Sequence, residues 1–220
     1  MEKYLPVIFW LPFVIYSIIL HEVAHGWVAD KLGDPTARLK GRLTLNPIKH
    51  IDPFMTIGLP LLIYIMSRGR AIFGGAKPVP VVAANFRNRR TGMMLTAVAG
   101  PATNTSIALV FVLLLKVKFL VPDGSLLQVV FANVVIWNVL LTMFNLLPVP
   151  PLDGSRFLAW IFPRTIGPLY DRAERFGMLI VMLIVFIRPV WEAFSLAFIY
   201  VLFYMDQILG LPLIRILTER

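Results

Sequence analysis

Long apolar stretches alternate with shorter polar, basic ones along this chain. Residues 5–29 form the first apolar segment, long enough to cross a hydrocarbon core of roughly 30 Å. The polar stretch 30–50 follows, with Gly33-Asp34-Pro35 and Asn46-Pro47 as turn signals. Residues 53–67 are apolar again, but the run is short and holds Gly58 and Pro60. A run of that length is as easily re-entrant as spanning. Within the basic stretch 68–90, Ala71–Phe73 and Val79–Val82 flank Gly74-Gly75. That arrangement reads as a short hairpin or as a solvated turn rich in Lys77, Pro78 and Pro80. A second clear span covers 91–117, and a third runs from about 125 to 147 and ends in Leu147-Pro148-Val149-Pro150-Pro151. An amphipathic piece, 153–162, comes next, and two more spans, 168–187 and 190–207, meet at Arg188-Pro189. No internal repeat or low-complexity tract is visible.

The pattern predicts an α-helical polytopic membrane protein. It has about five to six membrane helices, with a short re-entrant or β-hairpin region between the first and second core helices. The expectation is a single domain over 1–220, with a core at about 5–162 and extra C-terminal helices at about 165–207. Composition agrees: 58% of the residues are hydrophobic and 15% are charged, whereas soluble domains are nearer half apolar and a quarter charged. The start of the chain has one lysine before its apolar run, but a signal-peptide cleavage site is missing, so the segment reads as a retained helix.

The net charge of +9 would suggest nucleic acid in a soluble protein. Here the basic residues cluster at 31–49, 68–90 and 156–175, between apolar segments. Positive loops on the cytoplasmic side explain this, and no basic-aromatic face argues for nucleic acid. If 53–67 does not cross fully, loops 30–50 and 68–90 and the stretch 148–175 share one side. That side holds nearly all the Lys and Arg and is expected to be cytoplasmic. The location implied is the cell membrane, multi-pass. The absence of cysteine excludes thiolate chemistry and leaves His, Asp and Glu as metal ligands.

The sequence His21-Glu22-Val23-Ala24-His25 lies at the far end of the first span. On a helix, positions i and i+4 share a face, so both imidazoles reach one metal. Glu22 lies beside them, placed to take a proton from a water that the metal acidifies. Ionisable residues inside a hydrophobic helix are costly and mark function by default; the competing reading is polar groups satisfied by neighbouring helices. A catalytic zinc needs a third protein ligand and an open position. His50, Asp30 and Asp34 sit in loops, whereas Asp153 follows a span and a proline-rich break. Irregular backbone at membrane depth exists where it lines a cavity. Two imidazoles, one carboxylate and ionised Glu22 bring a zinc site near neutrality, which suits a low dielectric. An N-cap on a helix over 154–162 is the other reading of Asp153, and spacing alone leaves both open.

The His21–His25 motif, followed downstream by Asn145-Leu-Leu-Pro148-Val-Pro150-Pro-Leu152-Asp153-Gly154, resembles the paired signature of the site-2 protease family. Ala99-Gly100-Pro101-Ala102-Thr103-Asn104 and Gly41-Arg42-Leu43-Thr44-Leu45-Asn46-Pro47 are similar to further family elements. The likeness covers roughly residues 15–160 and is nearest to short prokaryotic members without a PDZ or other accessory domain. It implies one zinc ion per chain held by His21, His25 and Asp153, with Glu22 as general base. It also implies that Asn145 holds the substrate backbone or stabilises the oxyanion, against a helix C-cap as the plainer role. The substrate implied is a single-span membrane protein within the lipid bilayer, one that another protease can trim first, and the reaction is cleavage in or near its transmembrane segment. Two other functions compete: a membrane metal-binding or transport protein, and an inactive scaffold. A transporter would show repeated halves and leave Glu22 without a task; a dead scaffold would not keep all four residues.

Overall fold

The computed structural model describes residues 5–66, 74–173 and 176–218. Ten α-helices run through them: α1 (Leu5–Lys31), α2 (Thr36–Leu39), α3 (Leu59–Met66), α4 (Arg89–Lys116), α5 (Leu126–Asn145), α6 (Asp153–Ile161), α7 (Gly167–Ala173), α8 (Gly177–Phe186), α9 (Arg188–Leu209) and α10 (Leu213–Thr218). Four of these, α1, α4, α5 and α9, are long and apolar enough to cross a membrane. At about 1.5 Å per residue, each reaches or exceeds the hydrocarbon thickness. This is a helical, multi-pass membrane protein.

The described residues fall into two compact units, one made of the chain up to Ser17 together with Pro101 onward, the other of Ile18–Gly100. Of the four long helices, α5 is the most buried. Its Ala132, Val135 and Ile136 pack with Ala108, Val112 and Leu115 of α4, Phe198 and Leu202 of α9, and Leu211 and Leu213. Aromatic rings close the same core: Trp10 stacks on Trp137 at 5.6 Å between centroids, and Phe111 meets both Phe13 and Phe131 edge to face. Buried amides also tie three helices. Asn138 Nδ2 donates to Ser17 Oγ at 3.0 Å, and Asn104 Nδ2 donates to Asn138 Oδ1 at 3.1 Å. Asn104 is fully buried and bonded to α5 in this unit. Asp206 caps α10, its two carboxylate oxygens accepting the amides of Leu213 and Ile214.

The second unit has little regular structure between α1 and α4. Asn46 caps a 3-10 turn at Pro47–His50, and Asp52 caps a π-helical turn at Pro53–Gly58 that leads into α3. The apolar run expected at 53–67 is helical from Pro53 to Met66 among the described residues. Its end at 67 lies outside the described residues, as does the hairpin arm expected at Ala71–Phe73. The other arm, Val79–Val82, is irregular chain, and no β-strand occurs among the described residues.

Of the span expected at 168–187, α7 and α8 are helical, and residues 174–175 between them lie outside the described residues. Asp171, Arg172, Glu174 and Arg175 fall in its first half. Such charges oppose a hydrocarbon crossing, and α8, which follows them, is apolar throughout.

A candidate metal centre

His21, Glu22 and His25 occupy the last two turns of α1 before its polar end. His21 is buried, and Glu22 and His25 are half-buried. The two imidazoles stand nearly perpendicular, with ring centroids 4.6 Å apart and Nε2 atoms 3.0 Å apart. The helical i, i+4 spacing brings both rings to one face. His25 Nδ1 lies 2.7 Å from the carbonyl oxygen of Thr96 on α4. A carbonyl only accepts, so Nδ1 carries the proton and the Nε2 lone pair is turned toward His21. This is the arrangement of a metal-ligating histidine fixed by a backbone oxygen.

Gly100, one turn after Thr96, leaves the space these nitrogens need. A Cβ there would come within 2.5 Å of Nε2 of both histidines. The sequence points to close packing at Gly100-Pro101; the structure shows that what packs there is the imidazole pair.

Glu22 does not join the imidazoles in this arrangement. Its Oε2 accepts the backbone N–H of Val79 at 2.8 Å. Sequence reasoning did not identify Val79 or Thr96, because a backbone amide or carbonyl leaves no side-chain signature.

In the other unit, α5 ends at Asn145, and the proline-rich turn, which includes a cis Pro150–Pro151 bond, leads into α6. Asp153 is the first residue of α6; Leu152 occupies the N-cap position, and no side-chain cap bond forms. The N-cap reading of Asp153 therefore does not apply, although a carboxylate in the first turn still suits the helix dipole. Gly154 lets α6 begin directly against the preceding turn, since a Cβ there would lie 2.2 Å from the carbonyl oxygen of Leu146. Tyr170 holds the turn from α7, its hydroxyl donating to the carbonyl of Pro148 at 2.6 Å. Asn145 is not the C-cap of α5 either, since Leu146 is. Its Nδ2 donates back to the carbonyl of Leu141 at 2.9 Å.

His21 and His25 bring two ring nitrogens together on one face of α1, and Asp153, the first residue of α6, is the carboxylate that the sequence pairs with them. Two neutral imidazoles and a carboxylate, with no thiolate, are a donor set that zinc accepts in catalytic sites. The fixed His25 tautomer and the side-chain-free face of Gly100 fit such an ion. His50 stands apart from this group: its Nε2 lies 2.8 Å from the carbonyl of Thr44, and the residue is buried.

Known proteins give the family. The model of peptidase family M50 matches residues 121–188, the stretch that carries Asn145 and Asp153. "Putative zinc metalloprotease YwhC" of Bacillus subtilis is 40% identical over 182 residues, covering 80% of this chain and 78% of its own. The Rip2 protein of Mycolicibacterium smegmatis, named in the same terms, is 32% identical over 187 residues, 84% of this chain and 69% of its own. Rip2 of Mycobacterium tuberculosis is 30% identical over 195 residues, 88% and 72%. No solved structure matches the chain. Helices fit for a membrane, a His-Glu-x-x-His helix and these relatives lead to one conclusion: the chain belongs to peptidase family M50, the site-2 protease family, and is a membrane zinc metalloprotease.

Proposed function

We propose that the protein is an intramembrane endopeptidase that hydrolyses a peptide bond in or near the transmembrane segment of a single-span membrane protein. One observation carries this reading: His21, Glu22 and His25 lie on a helix that is itself long and apolar enough to cross the bilayer. The scissile bond then sits inside the membrane near one face. The basic loops 30–50 and 68–90 flank that face, which supports the cytoplasmic side of the cell membrane.

His21, His25 and Asp153 hold the zinc ion, which when bound supplies a Lewis acid that polarises the scissile carbonyl and acidifies a water. Glu22 takes the proton from the attacking water and returns it to the leaving amine. Asn145 keeps one amide N–H after its bond to Leu141 and donates it to substrate or to developing oxyanion charge. A helical substrate hides its carbonyls in internal bonds, so the segment to be cut unwinds first.

Two measurements test this. Glu22→Gln keeps full zinc, because Glu22 is not a ligand, and lowers cleavage of a single-span reporter by about 10²–10⁴-fold. A reporter with Gly or Asn near its cytoplasmic end is cut faster than a Leu version of equal hydrophobic length. Cleavage confined to a soluble loop far from the membrane overturns the intramembrane reading.

A further inference from the structure

The Val79 amide meets Glu22 because the chain around it is held on both sides by buried charges. Between Gly75 and Val79, alternate residues turn their polar groups to the same side. Gly75 N–H donates to Met55 O at 3.0 Å, and Gly75 O accepts from Thr56 Oγ1 at 2.8 Å. Lys77 N–H donates to His50 O at 2.8 Å, and Lys77 O accepts from Arg42 Nη2 at 2.7 Å. Val79 N–H then goes to Glu22. Arg42, buried, thus grips the chain two residues before Val79.

Asp34 grips it three residues after. Its side chain is wholly buried, and Oδ2 accepts the Val82 amide at 2.6 Å. Oδ1 accepts from Asn85 Nδ2 at 2.8 Å, from the Thr36 amide at 3.1 Å and from the Thr36 hydroxyl in a short contact. Burial pushes the pKa of this carboxyl up, but the bonds from Thr36, Asn85 and Val82 outweigh it and hold it below the ordinary value. Four donors converge on one side chain, and only a group that accepts on both oxygens satisfies them all. An asparagine would turn a donor toward one of them. Bonds to a charged acceptor are also stronger and more directional than neutral ones.

We propose that Asp34 and Arg42 are positioning residues that fix the register of the 75–82 segment, so that the Val79 amide holds Glu22 in one orientation. Neither side chain touches substrate or metal in this account; both act through the backbone. The inference rests on Glu22 being the base, but the register can be measured without any cleavage.

The test uses the full-length, zinc-loaded protein and the variants Asp34→Asn, Val79→Pro and their combination. Val79→Pro removes the N–H that connects the segment to Glu22. Hydrogen exchange reads the segment, zinc content and the melting curve read the fold, and the single-span reporter gives kcat and KM. Asp34→Asn is expected to speed exchange over 76–85 while zinc stays at one per chain. It lowers kcat by about tenfold with KM little changed, a loss of the size seen for groups that orient a metal-site residue. Val79→Pro alone lowers kcat, and adding Asp34→Asn to it costs nothing further, because the connection is already cut. Losses that multiply in the double variant overturn the proposal, as does unchanged exchange or unchanged kcat in folded Asp34→Asn. Should Asp34→Asn fail to fold, Asn85→Ala, on the exposed rim of the same network, is read by the same exchange and kcat measurements, and no change in either rejects the proposal. If the wild-type protein cuts no reporter, the proposed function falls, while exchange still decides the register.

Discussion

The two units keep their shape by different means. Around α5 and α9 the structure is apolar packing, with side chains such as Leu202, Val135 and Leu213 fully buried against one another. Between α1 and α4 the chain has short turns, and its positions are set by single hydrogen bonds to Asp34, Arg42, Asp52 and Glu22. Packing averages over many weak contacts, so it resists displacement but specifies no single atom's position. A bond from one amide to one carboxylate does the reverse. The polar unit carries the proposed base and two of the proposed zinc ligands, whose chemistry tolerates little misplacement.

This contrast can be broken at either end. The largest effect on stability is expected from Leu202→Ala in the packed unit, about 2–5 kcal/mol by the usual cost of emptying a core site. It should lower the melting temperature while leaving zinc content and kcat per folded molecule unchanged. A fall in kcat with no change in melting would reverse the assignment. Next comes Gly100→Ala in the polar unit. A methyl group 2.5 Å from both Nε2 atoms must displace an imidazole. Zinc affinity should drop about 10–100-fold, the range for disturbed ligand orientation, with melting of the zinc-free protein little altered. Metal titration by competition with a chelator measures it. The smallest effect is expected from Asn138→Ala. Although this residue bridges Ser17 and Asn104, hydrogen bonds between membrane helices average about 0.6 kcal/mol. A loss several times larger would mean that polar bonds, not packing, organise this unit as well.

What the sequence made legible follows the same division. His21, Glu22 and His25 stand out in the sequence because metal chemistry demands those residue types at helical spacing, and Asp153 because it follows a proline-rich break after a span. The long helices were readable because a bilayer demands about 20 apolar residues in a row. The stretch 168–187 was harder to read, since a run of apolar residues after Tyr170-Asp171-Arg172 extends a hydropathy window backward over charges that oppose entry into hydrocarbon. The roles of Thr96 and Val79 were invisible because the groups involved are peptide carbonyls and amides, which every residue possesses. Asp34 was read as part of a turn signal; its four donors come from residues 36, 82 and 85, and only folding brings them together.

Pro78 and Pro80 give the irregular segment beside Glu22 a chemical polarity of its own. Gly75, Lys77 and Val79 spend their N–H groups on Met55, His50 and Glu22, which leaves Ala76, Pro78 and Pro80. Two of those three have no N–H to offer. The segment therefore has few N–H groups left to give. Two copies of it laid side by side would find few donors in each other, so crowding in a membrane does not make this segment a seed for self-association. It welcomes only a chain that brings donors.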